Sequence, residues 1–177
     1  MSKTVKISKT LEPFKKSLSI EGDKSISIRW ALLASQANGK SRSYNLLNSE
    51  DVNNTLKCLK KLGIKIKSTK KFCEIISEGL NSFKLKKKIH LNAGNSGTLG
   101  RLLMGLLVHT NSKIKVSGDN SLSKRDFLRI TRPLEKFGAK FKTNSGRLPI
   151  TITGTSNPKP IKYYEDKGSA QCKSSVM

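Results

Sequence analysis

With 177 residues the chain is long enough for one well-buried core, so its length predicts one domain, or one domain with an added segment. Thirty-five Lys+Arg against 12 Asp+Glu leave a formal charge of +23, which favours anionic partners such as phosphorylated metabolites, nucleic acid or membrane surfaces. Three cysteines without paired spacing and two histidines argue against a disulfide framework and a zinc site, and no run approaches the ~20 apolar residues of a membrane span. A reducing, cytoplasmic compartment is the expectation.

Residues 3–8 and 17–20 are short β-branched alternating runs with Pro13 between them, and they predict two strands joined by a loop. Residues 25–37 carry Ile26, Trp30, Leu32, Leu33 and Ala34 in a helical stripe that stops near Asn38-Gly39. A strand follows at 40–46. Ser49-Glu50-Asp51 then opens a helix whose Val52, Leu56, Leu59 and Leu62 recur at three- and four-residue steps, and Gly63 ends it. Strands at 64–67 and 72–77 complete a β-α-β-α-β-β unit.

The same order then returns. A strand is expected at 87–91, a helix at 97–109, a strand at 113–117, a helix at 125–137 and strands at 139–143 and 148–153. Pro133 should kink the last helix or sit near its first turns. A strand at 160–164 and a helix from Ser169 open a third unit, and Ser174 to Met177 carry no helix-stop signal, so the sequence reads as incomplete. The repetition is explicit in the residues. Gly22 to Arg29 aligns with Gly94 to Arg101 at an offset of 72, and Asp51 to Gly63 with Asp126 to Gly138 at an offset of 75. A period this long is a packed α/β unit rather than a short solenoid repeat.

Lysine supplies 28 of the 35 cations, and tracts such as Lys70-Lys71 and Lys84 to Lys88 read as solvated faces. The seven arginines are a separate matter, because a planar fork matches phosphate and carboxylate geometry better than a point charge. The glycine turns at Gly22, Gly94 and Gly168 all stand before a helix, where free N–H groups and the macrodipole favour an anion. Taken singly, each reads first as ordinary turn chemistry: an exposed Lys24 with a capping Ser25, or an N-cap at Asn95-Ser96 followed by small residues. Arg29 lies one turn beyond Lys24 and Ser25, within reach of the same ligand or of a nearby acid. Arg101, its counterpart, precedes an apolar run and reads as structural. Arg125 begins the 125–137 helix, where the dipole disfavours a cation, and that placement points to a function. Ser169 and Gln171 read as capping groups of the last helix.

Together these stretches resemble a known family. Gly22-Asp-Lys-Ser-Ile-Ser-Ile-Arg29, Asn92-Ala-Gly-Asn-Ser-Gly-Thr98 with Arg101, Gly118-Asp-Asn-Ser-Leu-Ser-Lys-Arg125, Leu148-Pro-Ile-Thr-Ile-Thr-Gly154 and Ser169-Ala-Gln-Cys-Lys173 are similar to the motifs of the 5-enolpyruvylshikimate-3-phosphate synthases, in the family's order. The Ser-Ala-Gln and Asn-Ser-Gly-Thr spellings resemble bacterial variants. Asp126 departs from the family's usual proline after Arg125.

The resemblance implies the enolpyruvyl transferase fold, with two domains of three β-α-β-α-β-β units each and helix N-termini aimed into the cleft between them. Residues 1–20 would then belong to the second domain and 21–177 to an incomplete first domain, with units at 17–78, 87–154 and 160–177. Family members are more than twice as long. The implied reaction moves the enolpyruvyl group of phosphoenolpyruvate to the 5-hydroxyl of shikimate 3-phosphate, without metal or cofactor, in a monomeric cytoplasmic enzyme that needs neither nucleic acid nor membrane. The resemblance assigns Lys24 to both substrates as the catalytic cation. It assigns Ser25, Arg29, Ser169, Ala170 and Gln171 to shikimate 3-phosphate, and Asn95, Gly97, Arg125 and Gln171 to phosphoenolpyruvate. The family's acid/base carboxylates lie in its second half, which implies that this chain alone is inactive.

Two other readings stand beside this one. A UDP-N-acetylglucosamine enolpyruvyl transferase shares the architecture, but Lys24-Ser25 stands where Lys-Asn is expected. A basic nucleic-acid module accounts for the charge, but 6% aromatics and no RNP-like run speak against it.

Overall fold

The computed structural model describes residues 4–6, 8–10, 12–13, 15–80, 82–85, 89–166 and 168–177. Each helix begins where a short polar side chain can take up a free amide. In α1 (Lys24–Ala34) the cap is Asp23, whose Oδ1 accepts from the Ile26 N–H at 2.7 Å. The cap is therefore one residue before Lys24 and not Ser25, whose hydroxyl instead receives the Arg29 guanidinium. Helix α2 (Glu50–Lys61) is capped by Ser49, carries Glu50 and Asp51 in its first turn and Lys60 and Lys61 in its last, and so complements its own dipole. Gly63, at φ +93°, ends it in the left-handed conformation that glycine adopts without a Cβ penalty.

Two sheets follow the two copies. β1 (Asn38–Tyr44), β2 (Lys65–Ser68) and β3 (Phe72–Glu78) form an antiparallel sheet in the order β1-β3-β2. β4 (Ile89–Asn92), β5 (Lys113–Ser117), β6 (Lys140–Asn144) and β7 (Arg147–Thr153) form the second sheet in the order β4-β5-β7-β6. Only β4 and β5 run parallel. The order β5-β7-β6 repeats β1-β3-β2, so the sequence repeat is also a repeat of topology. The fourth strand is where the sheets differ.

By the offset of 72, β4 corresponds to residues 17–20, yet these form no strand and lie exposed. A strand is made by its partner. Here a hydrogen bond from Asn45 Nδ2 to the Ile20 carbonyl at 3.0 Å ties the segment to the sheet's end, and Asn45 turns away at φ 56°. The strand expected at 3–8 is also absent over its described residues 4–6 and 8, while residues 3 and 7 lie outside the described set, as do 87 and 88 of the run before β4. No strand forms at 160–164 either. Pro158 and Pro160 remove two amide donors just where a ladder would begin.

The helix expected at 125–137 is two helices. Asp119 caps the short α4 (Asn120–Ser123) through its Oδ1 and the Leu122 N–H at 2.7 Å. Asp126 Oδ1 then accepts from the Leu128 N–H at 2.8 Å as α5 (Leu128–Lys136) begins. Arg125 lies in the turn between them, so the expected clash with a helix dipole does not arise.

α3 (Gly97–Leu107), capped by Ser96, is the most buried helix; Leu99, Leu103, Met104 and Leu107 are fully enclosed. They join Ile28 and Ala31 of α1, Val52 and Leu59 of α2, and Leu91, Ile114, Ile150 and Ile152 of the second sheet in one core. Burying each such large aliphatic side chain contributes roughly 1.5–3 kcal/mol before chain entropy is set against it. α6 (Ala170–Val176), capped by Ser169, packs on α3 at Gly105. A Cβ there would stand 2.1 Å from the Ser175 carbonyl oxygen, so the absent side chain sets the distance between the two helices. Cys58, Cys73 and Cys172 are free and buried. Among the described residues no helix is long and apolar enough to cross a membrane.

Candidate active site

The first turns of α1, α2, α3 and α6 and the α4–α5 turn open on one polar cleft of about 470 Å³. Their convergence is dictated by the caps and by the packing of α3 against its neighbours. Five of the nine residues expected from sequence line the cleft: Lys24, Asn95, Gly97, Arg125 and Gln171. Four do not. Arg29 bonds Ser25 one turn further along α1 and lines a separate apolar groove of about 570 Å³ with Leu32, Leu102 and Leu106. Ser169 is occupied as a cap, its Oγ accepting from the Cys172 N–H at 3.3 Å, and Ala170 is exposed beside it.

Local contacts hold the cations in place. Lys24 Nζ stands 3.2 Å from Asp51 Oδ2 in the first turn of α2. Lys24 is more than half exposed, and such a pair contributes about 0–1 kcal/mol, so an anionic ligand can draw the ammonium away at little cost. Arg125 Nη2 reaches Asn95 Oδ1 at 3.4 Å, placing a guanidinium over the turn that precedes α3. Gly97 makes room for both neighbouring arginines: a Cβ on it would lie 2.8 Å from Arg101 Nη1 and 3.1 Å from Arg125 Nη1.

The side chain expected to be structural, Arg101, sits directly under this turn. Its Nη1 donates to Gln171 Oε1 at 2.6 Å, and Gln171 Nε2 donates in turn to Thr98 Oγ1 at 2.9 Å. Burial lowers the Arg101 pKa below the usual arginine range, and Arg129 and Arg125 lower it further by repulsion. Arg125 thus lines one end of the cleft, with Arg101 and Arg129 close enough behind it to repel one another, while Asp51 holds Lys24 at the other. The arrangement can hold an anion of more than one charge, with neutral donors from Asn95, Thr98 and Gln171 between the cations.

Sequence reasoning missed Glu50, Asp51 and Thr98 as lining residues, and Arg101 as the partner that holds Gln171. Thr98 and Arg101 stood inside a recognised motif, so a signal was present. For Asp51 the signal was its place in the first turn of a helix whose counterpart begins near Arg125. Among the described residues no group of three or more His, Cys, Asp or Glu is placed to hold a metal ion.

Known proteins share this fold. The family model described as EPSP synthase (3-phosphoshikimate 1-carboxyvinyltransferase) matches residues 8–177. A 3-phosphoshikimate 1-carboxyvinyltransferase of Streptococcus suis is 37% identical over 175 residues, which cover 98% of this chain and 41% of that protein. Its counterpart in Oenococcus oeni is 43% identical over 162 residues, 91% of this chain and 37% of that protein. Among solved structures, an EPSP synthase from Acinetobacter baumannii superposes with a TM-score of 0.84 at 34% identity, covering 90% of this chain and 36% of that one. The chain therefore spans about two fifths of the length of the relatives it matches. On the match of residues 8–177 and the shared fold, the chain belongs to the EPSP synthase family.

Proposed function

We propose that the longer protein of which this chain is part transfers the enolpyruvyl group of phosphoenolpyruvate to the 5-hydroxyl of shikimate 3-phosphate, releasing phosphate. The observation that carries this reading is the cleft itself, where Lys24, Asn95, Gly97, Arg125 and Gln171 meet at helix tips from distant parts of the sequence. Two phosphates and two carboxylates must enter one site in this reaction, and fixed cations with helix N-termini are the groups suited to them.

The 5-hydroxyl gives up its proton as its oxygen attacks C2 of phosphoenolpyruvate, while C3 takes a proton. The tetrahedral adduct then expels phosphate and gives the C3 proton back, restoring the double bond. Lys24 holds its ammonium beside the phosphoenolpyruvate and counters charge as phosphate departs. Arg125, with Asn95 and the Gly97 backbone, clamps the phosphate or carboxylate of the same substrate. Gln171 reaches both substrates. Ser25, Arg29, Ser169 and Ala170 complete the shikimate 3-phosphate subsite once the ligand draws Arg29 and Ser25 towards it. Residues 1–20 belong to a second domain, which supplies the acid/base carboxylates, and 21–177 form part of the first. The whole enzyme acts as a cytoplasmic monomer.

Calorimetry on this chain tests the reading. Saturable binding of shikimate 3-phosphate is the expected result. Binding of UDP-N-acetylglucosamine instead, or of RNA with a steep dependence on salt, would replace it with another function.

A further inference from the structure

We propose that Arg101 is a positioning residue that holds Gln171 in its ligand-binding orientation and so joins the tips of α3 and α6 into one rigid anion seat. The proposal rests on the enolpyruvyl-transfer reading, because it concerns the same cleft.

Two contacts fix this side chain, and a third fixes its backbone. The guanidinium carbon lies 5.3 Å from the ring centroid of Phe127, which is fully enclosed. Nη1 bonds Gln171, and the main-chain carbonyl of Arg101 accepts from Ser175 Oγ at 2.9 Å, so the residue grips α6 at two points. Nε is buried and has no hydrogen-bond partner. No ion pair to a carboxylate is formed by Arg101 among the described residues. Leaving a half-buried cation without a carboxylate beside two like charges is costly, and a purely structural role gains nothing from it.

The geometry explains the cost. Gln171 has one acceptor and two donors, and in a cleft full of cations its amide could turn either way. Arg101 can only donate, so it selects the carbonyl oxygen of Gln171 and turns the amide nitrogen towards Thr98 and the cleft. One N–H of that nitrogen bonds Thr98; the other is left to an anion. A lysine, with a compact head and no planar fork, would not hold this pose while stacked on Phe127. The counterpart at the offset of 72, Arg29, makes no such link: it turns back to Ser25 on its own helix.

The test is a double-mutant cycle on the 177-residue chain: Arg101→Met, Gln171→Ala and the pair together, with phosphoenolpyruvate as titrant. If Arg101 acts through Gln171, each single variant weakens binding about tenfold and the double variant weakens it no further. A guanidinium acting only through its charge would weaken binding again in the Gln171→Ala background, and that outcome overturns the proposal.

A second readout needs no ligand. The chain has two glutamines, Gln36 and Gln171, so the side-chain amide of Gln171 is readily assigned by 15N NMR. Arg101→Lys keeps the charge and the aliphatic stem, and serves if Arg101→Met fails to fold. It is expected to shift that resonance and to broaden it; an unmoved signal overturns the proposal. Should the unmodified chain bind neither phosphoenolpyruvate nor shikimate 3-phosphate, the transferase reading fails, and the NMR result still decides whether Arg101 orients Gln171.

Discussion

Lys24 occupies the first position of α1, where Asp23 caps the helix and Asp51 holds the ammonium. Lys24→Ala removes the charge without disturbing the cap, so the full-length enzyme is expected to lose turnover while its melting temperature hardly moves. A variant that keeps its kcat would remove Lys24 from the mechanism. Gly97→Ala acts differently. The new methyl meets Arg101 Nη1 at 2.8 Å, and that group is pinned by Gln171, so Arg125 and the incoming ligand must give way. The full-length enzyme is expected to show a KM for phosphoenolpyruvate raised about tenfold, with weaker inhibition by glyphosate-like analogues. Unchanged inhibition in a steady-state assay would place Gly97 outside that subsite. Which residues could be read from sequence follows from the same contacts. Lys24, Asn95 and Gly97 announce themselves because a glycine turn before a helix is a local pattern. Asp51 and Arg101 each stand in a recognisable stretch, but they act through partners 27 and 70 positions away, and a local pattern does not encode such a meeting.

Caps made the helices legible. Ser49, Ser96 and Ser169 each bond the amide three residues on, and all three helix starts were expected within a residue or two. Ser49→Ala should cost about 1 kcal/mol, read as a lower urea midpoint with an unchanged slope. Strands were legible only where a partner edge existed. Residues 17–20 and 160–164 have the alternation of a strand but no ladder, and composition alone cannot supply one. The break at Arg125 was missed because Asp119 and Asp126 both start helices only a few residues apart.

Within the first sheet, Glu74 of β3 takes two bonds from Arg42 of β1, at 2.6 and 3.2 Å, while the guanidinium stacks on Phe72 at 4.4 Å. The Arg42 bond, aided by Lys40, holds the Glu74 carboxyl below the usual glutamate range. A lowered acid pKa stabilises the fold above the unfolded value of about 4.3 and stops doing so as pH falls through the folded one. Melting curves of the wild type and Glu74→Gln should therefore converge as the solution is acidified below about pH 4. A gap that stays constant would deny the pair this role.

The chain as a whole brings cationic and amide side chains from distant parts of the sequence to one cleft. If a second domain supplies the acid/base carboxylates, as proposed, the chain purified alone releases no phosphate from phosphoenolpyruvate and shikimate 3-phosphate above background. Its three thiols report on the integrity of the fold. All are enclosed, and burial raises Cys58 to about 11, so alkylation at neutral pH should label the chain only after unfolding. Rapid labelling of the native protein would show that the core opens far more readily than its packing implies.

The margin of the first sheet has a consequence of its own. Because β1 stands at the end of the order β1-β3-β2, its outer row of amides and carbonyls invites another chain to add a strand. The sequence Asn38-Gly-Lys-Ser-Arg-Ser-Tyr44 discourages that visitor with two cations and no long apolar run. Neutralising Lys40 and Arg42 together would lower that barrier and favour self-association edge to edge.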